Sequence, residues 1–539
     1  MNIIRHPALS VVSQLLIFGV ACVVLLDWLQ TNSGHSLSDH TEQAPLFMLL
    51  GVVLTILQHQ PLRIDKKVFL PGILGLLSIA SLWITSPSIH VLTSLVGLAY
   101  VMSSYVSSLL GILKRGGPLF LLFLFLIPIL AGSLALSSPR CSSSGEDPLD
   151  FNKSLFTSIS AVSVTGLSVV DIGRELSIEG QCVLLLLIQI GGLGTVTFFV
   201  LFMSILGDGL GMRQSRAVRE AIDVFDPDQF NSLIITVFTT TFFVEIIGFL
   251  ALSSSSSNSY FSHFFHSISA FCNAGFSLNT DSLASFDTWS LLVMGLLIMV
   301  GGLGFPVIFV FWKRLFKKEG HRWPLHLGLV VMTSLILWLS GALLLALNGE
   351  GWGSVFWSVT ARTAGFSTSP VTDLSVFALL IMMFLMLIGA SPGSTGGGLK
   401  TTTFGVMFLV VKAELSARSK VVFWRRTIPE SLIKNAAVLV MVYFVAWLFM
   451  LCCLTWLEQS ALSDGTVSFL SLAFEITSAL GTVGLSMDLT NELTLNSQRV
   501  LMVAMILGRL GPLALVVGLA SVNGPGDQGV RPDGKVLLG

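Results

Sequence analysis

At 539 residues, 53% hydrophobic and only 11% charged, with a formal net charge of −1 at pH 7, the chain lacks the charged fraction of about one quarter that soluble proteins carry. The near-neutral balance, with basic residues scattered through short segments, gives no reason to propose a nucleic-acid partner, and none is expected. Six cysteines (Cys22, Cys141, Cys182, Cys272, Cys452 and Cys453) form no CxxC pair and no Cys/His cluster, so they read as packing residues with neither a metal site nor a disulfide framework.

Crossing a bilayer takes about 20 helical residues, and apolar stretches of that order recur along the chain to about residue 521. Four precede residue 116, at about 7–30, 44–59, 68–85 and 89–112; the first reads as a retained helix, since no small-residue cleavage site follows it. Eight more follow, at about 117–138, 182–206, 232–253, 289–312, 325–348, 375–411, 434–457 and 498–521, and Gly, Ser and Pro interrupt the stretch at 375–411.

Charge orients these spans. With the N-terminus inside, the cytoplasmic segments hold most of the 29 Lys and Arg, including the clusters at 213–219, 313–322 and 412–434. The outside segments hold only Arg140, Lys153, Arg174 and Arg499. Twelve spans with both termini cytoplasmic, in the cell (plasma or inner) membrane, satisfy that pattern. The mixed-charge stretch 207–231 reads as a cytoplasmic surface helix or a contact for a regulatory subunit.

The architecture emerges from self-similarity. Between the helices of each later pair lies a stretch too short to span that ends in a shared motif: Val164-Thr165-Gly166-Leu167-Ser168, Asn273-Ala274-Gly275-Phe276-Ser277, Thr363-Ala364-Gly365-Phe366-Ser367 and Thr482-Val483-Gly484-Leu485-Ser486. The second helix of each pair carries a further glycine 24 to 26 residues on: Gly191, Gly301, Gly389 and Gly508. Non-helical backbone at membrane depth is tolerated only where it is buried in protein or lines a watery path, so four such loops imply one shared axis. A ring of backbone carbonyls can replace a cation's hydration shell, and glycine lets the chain turn those carbonyls inward. The predicted fold is an all-α membrane protein: four helix–pore loop–helix repeats around one central pore, plus additional N-terminal transmembrane helices. The divisions are 1–116 (about four helices), 117–206, 207–312, 313–411 and 412–521 (repeats one to four) and 522–539 (cytoplasmic tail).

These motifs resemble the four filter sequences of the Trk/Ktr/HKT superfamily of potassium transporters, in order, from about residue 117 to the end. The stretch 389–401, with Gly389, Ser391, Gly393, Gly396, Gly397, Gly398 and Lys400, is similar to that family's intramembrane gating loop, and Arg509 in LGRLG to its fourth-repeat arginine. The resemblance implies a pore-forming subunit of a potassium uptake system. K+ would bind at the filter carbonyls of the twelve residues Val164 to Gly166, Asn273 to Gly275, Thr363 to Gly365 and Thr482 to Gly484. It further implies a homodimer, in contact with membrane lipids, bearing a cytoplasmic ring of nucleotide-binding regulatory subunits. Gly166 in the first filter is similar to the potassium-selective members. No organic cofactor is expected, and Na+ is left open as a coupling or activating ion.

The glycine-rich stretch at 393–401 lacks a Lys directly after its final glycine and a strand before it, so it is no phosphate loop. Arg509, an ionisable group in a membrane helix, points to function or to a structural ion pair. Glu475, Asp171 and Asp488 read either as acids concentrating cations at the pore mouth or as solvated loop residues. Arg362 is expected to brace its loop by donating to carbonyls, and His263 and His266 to flank a short helix structurally. The alternative function is a secondary transporter of an organic solute with broken midplane helices, although all four units run the same way. No nucleophile–base pair or cofactor motif suggests an enzyme.

Overall fold

The computed structural model describes residues 119–143, 148–209, 230–254, 259–317, 325–349, 351, 353–424 and 426–511. The N-terminal helices expected within 1–116, most of the mixed-charge stretch 207–231 and the tail 522–539 lie outside them.

The described chain is helical, apart from one antiparallel pair, β1 (Val422–Phe423) and β2 (Arg426–Thr427). The first repeat runs α1 (Leu119–Leu136), the short α2 (Phe151–Ser163), α3 (Ile172–Glu175) and α4 (Ile178–Gly209). The second runs α5 (Phe230–Ser253), the short α6 (Tyr260–Phe271), α7 (Thr288–Leu303) and α8 (Phe305–Lys317). The third comprises α9 (Leu325–Leu347), the short α10 (Gly353–Thr360), α11 (Val376–Leu387) and α12 (Thr401–Leu415). The fourth comprises α13 (Glu430–Leu457), α14 (Gln459–Ser463), the short α15 (Phe469–Gly481) and α16 (Leu495–Leu510).

Local sequence sets these boundaries. Ser259 and Ser468 cap two of the short helices by accepting from Ser262 N and Ser471 N, while Ser375 and Thr494 cap α11 and α16 by accepting from Ala378 N and Ser497 N. Such caps satisfy amides that a helix leaves unpaired. Helices α9 and α13 are long and apolar enough to cross a membrane. Their outward faces present Leu335, Leu339, Leu343, Phe444, Val445 and Phe449, a display that suits lipid and not water.

By compactness the chain falls into two units. In the first, covering 129–158 and 170–186 among described residues, Ser177 N donates to Cys141 O at 2.9 Å and Ser143 N to Glu175 O at 2.9 Å. Asp171 caps α3 by accepting from Gly173 N and Arg174 N; it is a helix cap before it is a mouth charge. The second unit holds, among described residues, 119–128, 159–169 and everything from 187 onward. Its core has two main apolar clusters, one around Trp357, Met382, Met386, Phe474 and Val483 and one around Met294, Leu297, Phe356 and Phe366. Both pack the short helices against the second helices of neighbouring repeats.

The expected span at 289–312 is not one helix. It breaks at Gly304 (φ 91°), and the two pieces diverge by 94°. The predicted interruption at 375–411 is the non-helical segment between α11 and α12.

Candidate functional site

All four motifs adopt one backbone pattern. The residue two before each glycine is left-handed (Val164 φ 55°, Asn273 58°, Thr363 69°, Thr482 50°), and each glycine has positive φ as well (Gly166 92°, Gly275 72°, Gly365 79°, Gly484 97°). Left-handed backbone is costly for residues with a Cβ and persists where surroundings over-determine it.

Those surroundings are the short helices. Thr165 N donates to Ser160 O at 2.8 Å, Ala274 N to Ser269 O at 2.8 Å, Ala364 N to Thr360 O at 3.0 Å and Val483 N to Ser478 O at 2.9 Å. Gly166 N and Gly484 N are held by the hydroxyls of Ser160 (3.1 Å) and Ser478 (3.0 Å). In a planar trans peptide the N–H and the preceding C=O point opposite ways. Tying these amides to the helices therefore turns the carbonyls of Val164, Thr165, Asn273, Thr363, Thr482 and Val483 away from them.

The four loops close on one another. A Cβ built on Gly166 would strike the Ala274 carbonyl, one on Gly275 the Ala364 carbonyl, one on Gly365 the Val483 carbonyl and one on Gly484 the Thr165 carbonyl. Each such Cβ would also lie 3.0–3.1 Å from the Cα of the next motif's glycine. The order one to two to three to four and back to one is a ring, and it excludes side chains at all four positions. The C-terminal ends of α2, α6, α10 and α15, each carrying about half a negative charge, lead directly into it.

The second set of glycines explains how the loops are seated. Gly191, Gly301 and Gly508 press onto the carbonyls of Val162, Phe271 and Leu480, each four residues before its ring glycine. Gly389 departs from this, lying instead against Gly397 O within its own repeat.

The stretch 388–400 reaches the other repeats from there. Ser391 N donates to Gly302 O at 3.1 Å, Phe305 N to Gly393 O at 2.9 Å, Thr395 Oγ1 to Phe271 O at 3.3 Å and Gly398 N to Gly508 O at 3.2 Å. Gly397 N donates to Thr482 Oγ1 at 3.0 Å, and a Cβ on Gly396 would strike Thr363 Oγ1. The segment thus abuts two of the left-handed motif residues. Lys400 donates from Nζ to Gly396 O at 2.8 Å, and Ser394 Oγ to Ser391 O at 2.6 Å, which folds the segment on itself. Arg509, 6% exposed, donates to Thr395 O and, at 2.7 Å, to Gly191 O. It joins the broken helix of the third repeat to the first.

Sequence reasoning placed two groups differently. Glu475 is neither a mouth acid nor a solvated one: it is fully buried in α15 and accepts from Ser486 Oγ, Met487 N and Thr490 Oγ1. His263 and His266 lie within α6 and do not flank it. Arg362 does brace carbonyls, those of Ser334 (3.4 Å) and Gly389 (3.3 Å) on flanking segments, with its guanidinium 5.1 Å from the Trp338 ring centre. The buttressing hydroxyls were missed: those of Ser160 and Ser478 hold ring amides, and Ser269 Oγ and Thr360 Oγ1 donate to Phe276 O at 2.8 Å and Phe366 O at 2.7 Å. Their signal is a Ser-Ala or Thr-Ala pair shortly before each ring glycine, one residue closer in the third motif.

Four loops closed into one ring, in a helical chain with helices long and apolar enough to cross a membrane, define an integral membrane protein. Residues 130–528 match the TrkH family, described as cation transport proteins. The chain is 37% identical over 436 residues to the Ktr system potassium uptake protein B of Bacillus subtilis (77% of this chain, 95% of that protein). It is 36% identical over 430 residues to its namesake from Vibrio alginolyticus (76% and 92%), and 31% identical over 439 residues to the potassium/sodium uptake protein NtpJ of Enterococcus hirae (77% and 95%). Its fold is similar to the crystal structure of the potassium transporter TrkH from Vibrio parahaemolyticus, with a TM-score of 0.58, 18% identity and coverage of 93% of this chain and 98% of that one. The chain belongs to the TrkH family of cation transport proteins; it is an integral membrane transporter and not an enzyme.

Proposed function

We propose that this chain is the pore-forming subunit of a potassium uptake system, in which K+ passes through the ring formed by the four glycine motifs. The observation that carries this reading is the closed cycle of contacts Gly166–Ala274, Gly275–Ala364, Gly365–Val483 and Gly484–Thr165. Loops packed that closely enclose a passage suited to an ion stripped of water by carbonyls, and unsuited to an organic solute. The short-helix C-termini favour a cation there.

In this reading the segment 389–401 bars the passage beneath the ring, and Arg509 both pins it and adds an electrostatic barrier where charge is poorly screened. The chain works as a homodimer bearing a cytoplasmic ring of nucleotide-binding regulatory subunits, as the family resemblance implies; relatives named as parts of Ktr systems support a partner subunit. Both termini are cytoplasmic. Sodium enters as a coupling or activating ion to be tested, given the potassium/sodium relative. Flux into vesicles holding purified protein, compared for K+, Rb+, Na+ and Li+ with organic solutes as competitors, tests this. Uptake of K+ and Rb+ above Na+ and Li+, untouched by organic solutes, is expected. An organic solute that is itself transported would overturn it.

A further inference from the structure

Among the buried ionisable side chains that the ring and its gate leave unexplained are Glu475 and His266. They occupy the same place in two repeats. Glu475 lies nine residues before Gly484, and His266 nine before Gly275. Each reaches the serine two residues beyond its own ring glycine. Ser486 Oγ donates to Glu475 Oε1 at 2.5 Å, and His266 Nε2 shares a hydrogen bond with Ser277 Oγ at 2.9 Å. Both side chains are fully buried.

Each clamp extends further. Glu475 also accepts from Met487 N at 3.0 Å and from Thr490 Oγ1 at 2.8 Å, so one carboxylate gathers three donors from the chain leaving the fourth loop. His266 is fixed at its other nitrogen, whose Nδ1 lies 2.7 Å from Ser262 O. Ser277 Oγ also lies 3.0 Å from Ser282 O, and Ser367 N of the third motif donates to Ser282 Oγ at 3.2 Å. The second clamp is therefore carried across to the third loop. The corresponding position in the first repeat is Thr157, whose buried hydroxyl has no hydrogen-bond partner among the described residues. In the shorter third motif the position falls at Phe356 or Trp357, and neither offers an acceptor.

Resting on the proposed function, we infer that Glu475 and His266 are positioning residues for ion selection. They hold the outer ends of the second and fourth loops, which face each other across the ring, so that the carbonyls between helix and clamp keep a fixed spacing. Neither touches the ion. The physical ground is that each loop is tied at both ends: to its short helix through Ser269 or Ser478 before the glycine, and to the clamp after it. A carboxylate that collects three donors is also costly to replace, because Thr490 is buried and Ser486 and Met487 are half-buried, so the donors left behind are poorly placed to recover a partner from water.

The test uses the full-length protein in vesicles and reads the ratio of K+ to Na+ uptake at matched amounts of inserted protein. Glu475→Gln loses acceptor capacity but keeps shape, Ser486→Ala and Ser277→Ala remove the other half of each clamp, and Thr157→Val serves as control. We expect Glu475→Gln and Ser486→Ala each to lower the ratio about tenfold, the worth of one lost charged hydrogen bond, with Ser277→Ala lowering it similarly and Thr157→Val leaving it unchanged. Glu475→Gln with Ser486→Ala should fall short of the sum of the two singles, because they break one interaction. Should Glu475→Gln fail to insert, Ser486→Ala and Ser277→Ala decide the question alone. A Gly484→Ser variant in the same assay separates the two claims. If it lowers the ratio while the clamp variants do not, the clamps are structural only and the inference is wrong; if it too leaves the ratio unchanged, the ring itself is misassigned.

Discussion

Arg509 in α16 donates to the carbonyl of Thr395, in the non-helical segment of the third repeat, and so ties that segment to the repeat that follows it. Its second terminal nitrogen donates to Gly191 O of the first repeat at 2.7 Å. One side chain thereby joins the first, third and fourth repeats.

Arg509→Ala should raise ion flux measured without any regulatory subunit. The change removes two charge-assisted hydrogen bonds; the one that holds the segment, to Thr395 O, is alone worth about 1.5–3 kcal/mol, enough for a rise of about tenfold or more in the open population. Deleting Gly396 to Gly398 should raise flux too, and the two changes together should be less than additive because they release one barrier. Lower flux with altered ion ratios in correctly inserted protein would show that these residues support the ring instead.

Cys141 gives a built-in control for topology. Burial first, then the nearby Glu179, against an opposing Arg140, pushes its thiol up to about 12, so almost none is thiolate, the reactive form, at neutral pH. In protein whose exposed Cys182 and Cys452 are replaced, Cys141 should stay unlabelled by an impermeant thiol reagent. Ser143→Cys, at an exposed position two residues on, should label from outside, while Arg418→Cys should label only after the membrane is opened. The reverse pattern would invert the orientation.

Glu458, at the end of α13, is buried, which raises its carboxyl, but hydrogen bonds from Ser497 and Thr494 outweigh burial and hold it below the usual carboxylate range. Its folded value lies under its unfolded one, so its contribution is present above about pH 4–5 and disappears as pH falls through the folded value. Glu458→Gln should therefore lower the melting temperature at pH 7, where Thr494 N and Oγ1 lose their carboxylate partner. The gap between variant and parent should close on acidification. An equal gap at pH 7 and pH 3 would contradict this.

The four loops were legible because a glycine followed by Leu or Phe and then Ser recurs at each, and the close approach at Gly166 and its three counterparts leaves no room for a Cβ. The break at Gly304 was not. IGGLG at 190–194 and VGGLG at 300–304 are nearly identical, yet α4 runs through the first while the second ends α7. The difference lies in a distant partner: Phe305 N donates to Gly393 O, and a Cβ on Gly304 would come within 2.8 Å of Pro392 O. Glu475 misled for the same reason, since its three donors come from residues beyond the loop and no local pattern announces that a carboxylate will be enclosed.

The ring itself is open to the most direct measurement. Serine placed singly at Gly166, Gly275, Gly365 and Gly484 puts a Cβ against the carbonyl of the next motif in each case, on backbone that side chains rarely adopt. In vesicles with matched amounts of inserted protein, the ratio of K+ to Na+ uptake should fall for all four variants, by about tenfold or more. A ratio that stays at the parent value in any one of the four, with that protein folded and conducting, would contradict a ring to which every repeat contributes a quarter.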